Sequence, residues 1–231
     1  RENYNPNTNA DGIPWVGPLG DENALKVRKA LNLAVDTEAI LEHFFLGTAQ
    51  PLRVPIFPWH DPQNDPAWEP YPYDPDQAKQ LLAEAGYPNG FDVTLWGWTA
   101  SGRPEGPAIA ELVSIYWEAI GINVSLERVE YAGVKPGLRA RAALGNTANV
   151  YLSTDSYEPY SFIASVGWSK GSTLLFVEYP ELDAIMAKLV KETDYDRRFA
   201  LQREWGQIVY DNYLGVPIAT KQLLAASNDR I

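Results

Sequence analysis

The residues best suited to chemistry are few. His43 and His60 are the two imidazoles of the chain. A Ser-His-Asp triad would have to use one of them, and no Gly-x-Ser-x-Gly elbow is present. His60-Asp61 offers a nitrogen and a carboxylate, but two histidines without close acidic spacing fall short of a metal set, and no metal is expected. There is no cysteine, which excludes a thiol nucleophile, zinc-thiolate sites and a disulfide scaffold. No glycine loop of the phosphate-cradling kind occurs. Glu105, Glu111, Asp155 and Glu158 are candidates for the paired carboxylates of glycoside hydrolysis. Against that stands simple crowding, since 30 acids in 231 residues bring some close by chance. No catalytic residue and no cofactor is therefore assigned. The unusual chemistry is aromatic: 8 Trp, 13 Tyr and 7 Phe. Large flat side chains suit a core, a sugar- or peptide-binding cleft, or both.

Composition narrows the partners. The net charge is −11, the wrong sign for neutralising phosphates, so no nucleic acid is expected. Hydrophobic residues at 45% and charged residues at 21% describe a globular chain with enough length to bury a core. No run of about 18 apolar residues exists, so no membrane-spanning helix is expected. Arg1 opens the chain with no Met and no apolar targeting segment. Its last residues, Asn228 to Ile231, follow an apolar stretch directly. Both ends read as those of a piece of a longer protein or of a trimmed mature chain. Residues 1–23, rich in Asn, Pro, Gly and Asp, read as a linker or edge segment, and 24–231 as a single lobe.

The elements that must position the candidate residues follow from periodicity and caps. Helical spacing predicts a helix over 22–35, and a second from Thr37 to Leu46 capped by Asp36 and stopped at Gly47. The Pro-rich stretch 51–73 reads as a loop. Asp74-Pro75 starts a third helix with Ala78, Leu81, Leu82 and Ala85 inward. Alternation predicts a strand over 91–97, then a loop over 98–106. A helix over about 107–120 follows, with Ile109, Leu112, Ile115, Tyr116 and Ala119 on its buried face. A strand over 122–127 comes next. This β–α–β run implies parallel neighbours. A short helix (134–144), a strand (149–154), another short helix after Pro159, helices over 180–192 and 194–212, and a strand over 216–225 complete the order. The expected class is α/β (α+β), with a mixed, mainly parallel sheet of about four strands flanked by helices.

Three segments resemble the bacterial extracellular solute-binding proteins of family 5, the peptide-, nickel- and oligopeptide-binding components of ABC importers. The first runs from Val27-Arg28 through Ala30-Leu31, Ala34 and Asp36 to Ile40. The second is Tyr73-Asp74-Pro75, then Ala78-Lys79, Leu81-Leu82 and the run Glu84-Ala85-Gly86-Tyr87-Pro88-Asn89-Gly90-Phe91. The third is Ile120-Gly121-Ile122-Asn123-Val124. Their order and spacing make the resemblance specific. It implies one lobe of a class II periplasmic-binding-protein-like clamshell, the second large lobe, with the first (N-terminal) lobe outside this chain. It also implies a periplasmic or extracellular location and a lipidated N-terminal anchor on the full-length protein. The implied partners are an oligopeptide or other small solute and ABC permease subunits, and a monomer is expected. Oligosaccharide binding within the family is the alternative, with a carbohydrate-active enzyme a more distant one. The motif residues themselves read as structural: Arg28 and Asp36 hold the first helix pair, and the Gly86–Gly90 run is a helix stop and turn.

Ligands in α/β sheets sit beyond the carboxyl ends of the strands. That points to Trp96-Gly97-Trp98 with the loop after it, including Arg103, and to the run Asp155-Ser156-Tyr157-Glu158-Pro159. In peptide-binding members the resemblance implies that an aspartate at Asp155 pairs with the ligand's α-ammonium, a charge-assisted bond. Tyr151 and Leu152 precede it where the family often has Trp. Trp98 and Trp96 are candidates to stack on a ligand, Arg103 to meet a carboxylate, and Tyr157, with Tyr160 and Trp168, to add aromatic surface. The competing readings are plain: Asp155 as a helix cap, Trp98 as lobe packing, Arg103 as an exposed loop residue. An isolated lobe, having half a cleft, is expected to bind weakly.

Overall fold

The computed structural model describes residues 12–55, 57, 64–99, 104–139, 147–149, 153–154 and 177–221. Helix α1 (Glu22–Leu33) starts where Asp21 accepts from the amides of Asn23 and Ala24, each at 3.0 Å. These bonds satisfy amides that no helical carbonyl reaches. Its apolar stripe, Val27, Ala30, Leu31 and Leu33, is buried. Arg28 is buried on the same helix. Its Nε donates to the Asn212 carbonyl at 2.8 Å and its Nη1 to the Trp15 carbonyl at 3.1 Å. Burial lowers the guanidinium from its ordinary pKa, while Tyr179 and Asp21 oppose the shift. Arg28 thus ties α1 to the far end of the chain as well as to the segment ahead of it. In that segment Ile13 and Val16 are buried, and the Trp15 ring lies 5.8 Å from Phe91.

The second expected helix has a different winding. Asp36 caps α2 (Thr37–Ala39) by accepting from the Ala39 amide, and a π-helical turn, Ile40–Phe44, continues it. The wider turn brings Ile40 and Phe45, five residues apart, both into the core. Strand β1 (Ala49–Pro51) follows. Helix α3 (Pro75–Glu84) has the expected Asp74 cap, with the Gln77 amide at 2.9 Å. The Asp74 amide in turn donates to the Leu33 carbonyl at 2.8 Å, joining the start of α3 to the end of α1. Ala78, Leu82 and Ala85 are buried, and Leu81 is half-buried.

Strand β2 (Asp92–Thr99), helix α4 (Gly106–Ala119) and strand β3 (Asn123–Glu130) form the expected parallel unit. The register runs from Asp92 opposite Asn123 to Thr99 opposite Glu130. Two glycines permit its closeness. Gly90 has φ +71°, and a Cβ there would collide with the Gly121 carbonyl; a Cβ on Gly106 would collide with the Trp98 carbonyl. Helix α4 is rotated from the expected phase. Ile109, Ala110, Val113, Ser114 and Trp117 face inward, whereas Ile115 is 56% exposed and Ala119 is exposed. The cause is Trp117: its indole donates to the Leu31 carbonyl at 3.0 Å, and so large a ring with a satisfied N–H outweighs Ile115 for the inner face.

The expected strand over 149–154 is two strands. Strand β4 (Thr147–Asn149) pairs in parallel with β2. Strand β5 (Ser153–Thr154) pairs in parallel with β6 (Ala219–Lys221), which pairs antiparallel with β1. The mainly parallel strands therefore lie in two three-stranded sheets, ordered β3-β2-β4 and β1-β6-β5. Helix α5 (Tyr131–Arg139) begins directly after β3, earlier than expected. Helices α6 (Pro180–Leu189) and α7 (Tyr195–Asp211, capped by Asp194) fall where the sequence put them. They close a second core around Phe57, Trp68, Leu182, Leu189 and Trp205. The expected helix after Pro159, and the strand beyond residue 221, lie outside the described residues. Among the described residues no helix is long and apolar enough to cross a membrane.

Candidate functional site

Strands β2, β3 and β4 run in parallel, so their carboxyl ends point the same way. β2 delivers Trp96, Gly97, Trp98 and Thr99 to that end, and β3 delivers Arg128, Val129 and Glu130. Trp96 is half-buried. Its indole donates to Glu127 Oε2 at 2.9 Å across the strand pair, where Trp96 is in register with Glu127. This bond fixes the ring against its neighbour strand.

Trp98, two residues on and so on the same face, is only 6% exposed. Its ring is covered by Tyr131, the first residue of α5, with centroids 5.2 Å apart and planes at 29°. One face of the Trp98 ring is thus covered by a tyrosine of the chain itself. Lys135, one turn along α5, holds its ammonium 5.3 Å from the Tyr131 centroid, within range of a cation–π contact. Trp98 Nε1 is buried with no hydrogen-bond partner among the described residues, a cost that a well-packed fold seldom carries without reason. Behind it, Gly97 packs on Pro107 and Ala110, and Gly106 on the Trp98 backbone. The start of α4 is thereby held against the end of β2. Thr99 Oγ1 donates to the Val129 carbonyl at 3.3 Å and closes the end of the pair.

The other candidates divide. Glu111 is bound to Arg128 at 3.3 Å on the surface, spent on an ion pair rather than aimed at a second acid. His43 is exposed, 3.9 Å from Glu42. Glu105 precedes α4 as its cap residue. Among the described residues no group of three or more His, Asp or Glu could hold a metal. Asp155, Tyr157, Arg103, Glu158, Tyr160, Trp168, His60 and Asp61 lie outside the described residues. β5 ends at Thr154, the residue before Asp155, in register with Lys221 of β6. Sequence reasoning missed Tyr131 and Lys135. The available signal was an aromatic residue directly after an alternating strand, with a lysine four residues on.

Residues 2–173 match the family model described as "Bacterial extracellular solute-binding proteins, family 5 Middle". Among curated proteins, the chain is 33% identical over 214 residues to the heme-binding protein A of Haemophilus influenzae, covering 90% of this chain and 38% of that protein. It is 26% identical over 216 residues to the glutathione-binding protein GsiB of Pectobacterium atrosepticum, covering 89% of this chain and 41% of that protein. Among solved structures, HbpA2 of Haemophilus parasuis superposes with a TM-score of 0.72 at 26% identity, over 84% of this chain and 39% of that one. The chain therefore spans about two fifths of the length of the relatives it matches.

Proposed function

The chain belongs to the bacterial extracellular solute-binding proteins of family 5, and from that premise we propose that it is one lobe of a two-lobed protein that captures a peptide-like solute and delivers it to an ABC permease. The observation that carries this reading is the family match across residues 2–173. The relatives named above are binding proteins, and one of them is named for glutathione, itself a small peptide. In this reading the protein grips its solute and transforms nothing. The full-length protein works outside the cytoplasmic membrane as a monomer, held by a lipidated N-terminus.

Asp155 supplies the carboxylate for a solute α-ammonium, a bond strengthened when closing lobes exclude water. Arg103 meets a solute carboxylate, and Tyr157 adds aromatic surface. Trp96 and Trp98 build the wall behind, with Tyr131 as the ring that Trp98 backs. Heme is the second reading, favoured by the name of the 33% identical relative.

The test is isothermal calorimetry on the full-length protein with reduced glutathione, a set of tripeptides, heme and maltotriose. The expected result is peptide binding with a dissociation constant of about 1 μM or tighter. Asp155→Asn is expected to weaken it by about tenfold or more for peptides with a free amino terminus. Binding of heme alone would replace the peptide reading with the second one, and binding of maltotriose alone would replace it with the sugar one. Binding of none would remove the proposal.

A further inference from the structure

Of the asparagines in this chain, Asn89 alone precedes a glycine. That pairing has a chemistry of its own. A glycine has no Cβ to bar the approach of the preceding side chain to its amide nitrogen. The Gly90 nitrogen can attack Cγ of Asn89. The N–Cγ bond forms, the Cγ–Nδ2 bond breaks, the Gly90 amide proton passes through solvent to the departing group, and ammonia leaves. Water then opens the cyclic imide. Opening at Cγ leaves aspartate. Opening at the Asn89 main-chain carbonyl leaves isoaspartate, with the backbone routed through the side chain and one methylene longer.

Asn89 is exposed, and among the described residues no hydrogen bond holds its side chain. Water and base reach it from solvent. The neighbouring nitrogen, by contrast, is engaged. The Gly90 amide donates to the Tyr87 carbonyl at 3.0 Å and closes a turn over residues 87–90. Pro88 fixes φ at the second position of that turn. Gly90 stands at φ +71°, set against the Gly121 carbonyl.

Both ends of the turn are tied down as well. The Tyr87 amide donates to the Leu82 carbonyl at 2.8 Å, and the Tyr87 ring meets the Phe91 ring edge-on at 5.4 Å. The Phe91 carbonyl accepts from the Asn123 amide at 3.0 Å, and β2 starts at the next residue. Attack on Cγ requires the peptide plane between residues 89 and 90 to rotate and its N–H to release Tyr87. That rotation presses Gly90 into Gly121.

We propose that Asn89 is a spontaneous deamidation site, held shut by the folded turn and released when the turn opens. Its rate then follows the fraction of molecules open at this junction of α3 and β2. The isoaspartyl product does not fit the closed turn. Its added methylene lengthens the chain by about 1.5 Å just ahead of Gly90, where even one added Cβ collides.

The experiment holds the full-length protein in one mildly alkaline buffer, native and in guanidinium chloride. Mass spectrometry and chromatography follow the loss of Asn89 and the gain of isoaspartate in the fragment that carries it. The expected result is a native rate slower by about tenfold or more than the denatured one. Pro88→Gly keeps the Asn-Gly pair and frees the turn. With its fold checked by its melting curve, it should deamidate about fivefold faster than wild type in native buffer and within about twofold of it in denaturant. After refolding, chains with isoaspartate at 89 should melt about 4 °C or more below Asn89→Asp, which adds the same charge without lengthening the backbone. Equal native and denatured rates in the wild type, or no loss of Asn89 in either, would overturn the proposal. A folded Pro88→Gly with the wild-type native rate would overturn the turn as the lock, and equal melting temperatures would overturn the misfit of the product.

Discussion

The sheet β3-β2-β4 gets its central pair from a strand, a helix and a strand in succession, within residues 92–130. The sheet β1-β6-β5 instead joins residues 49–51, 219–221 and 153–154, strands of two or three residues drawn from across the chain. The first sheet carries its own instructions: alternation along β2, a helix of fitting length, and glycines where backbones touch. The second holds little in its own sequence. Its assembly requires long loops to close before any contact forms. The two candidate ligand edges differ in the same way. Trp96 and Trp98 sit on the locally specified sheet, while the strand that leads to Asp155 sits on the assembled one.

The sharpest way to break this contrast is to hollow the local sheet. Leu95 is 1% exposed at the middle of β2. Leu95→Ala should cost about 2–5 kcal/mol, read as a lower midpoint in urea unfolding. A loss below about 1 kcal/mol would mean that β2 is not the centre of the core. In the assembled sheet the expected sign is opposite. Thr220, in the middle strand, is 2% exposed, and its hydroxyl has no hydrogen-bond partner among the described residues. Thr220→Val removes a buried polar atom at little change in shape, and should stabilise by about 1 kcal/mol. Calorimetric melting would show the rise, and a fall would mean that the hydroxyl is satisfied in solution.

Smaller effects probe the frame shared by both sheets. Asp74→Ala removes the α3 cap and should cost about 1 kcal/mol, seen in the same urea series. No loss would mean that Pro75 and the packing of α1 start the helix unaided. Smallest is Glu84 at the other end of α3. Bonds from Gln80 and Lys26 hold its carboxyl below the ordinary glutamate value. A depressed carboxylate adds stability above its unfolded value and loses it as pH falls through the folded one. NMR titration should show a low Glu84 midpoint that returns toward normal in Lys26→Met. An unmoved midpoint would assign the shift to Gln80 alone.

The sequence made the β–α–β unit, the Asp36 and Asp74 caps and helices α6 and α7 legible, because each is decided within about a dozen residues. It misphased α4, since spacing weighs Ile115 and Trp117 alike, whereas the Trp117 ring has a carbonyl waiting at Leu31. It merged β4 with β5, because alternation does not say which sheet a strand joins. The aromatic pair of Trp98 and Tyr131 escaped it for a related reason: two residues meet there from different elements. Leu46 read only as the last residue before a helix-stopping glycine, and nothing in the residue type announces its left-handed backbone, φ 51°.

Hydrogen–deuterium exchange on the full-length protein, with and without saturating peptide solute, tests the central claim most directly. The account predicts slowed exchange in the fragments covering residues 96–106 and 153–159, and no change along α3 and α7. Exchange that stays the same at both carboxyl ends while peptide is bound would contradict it.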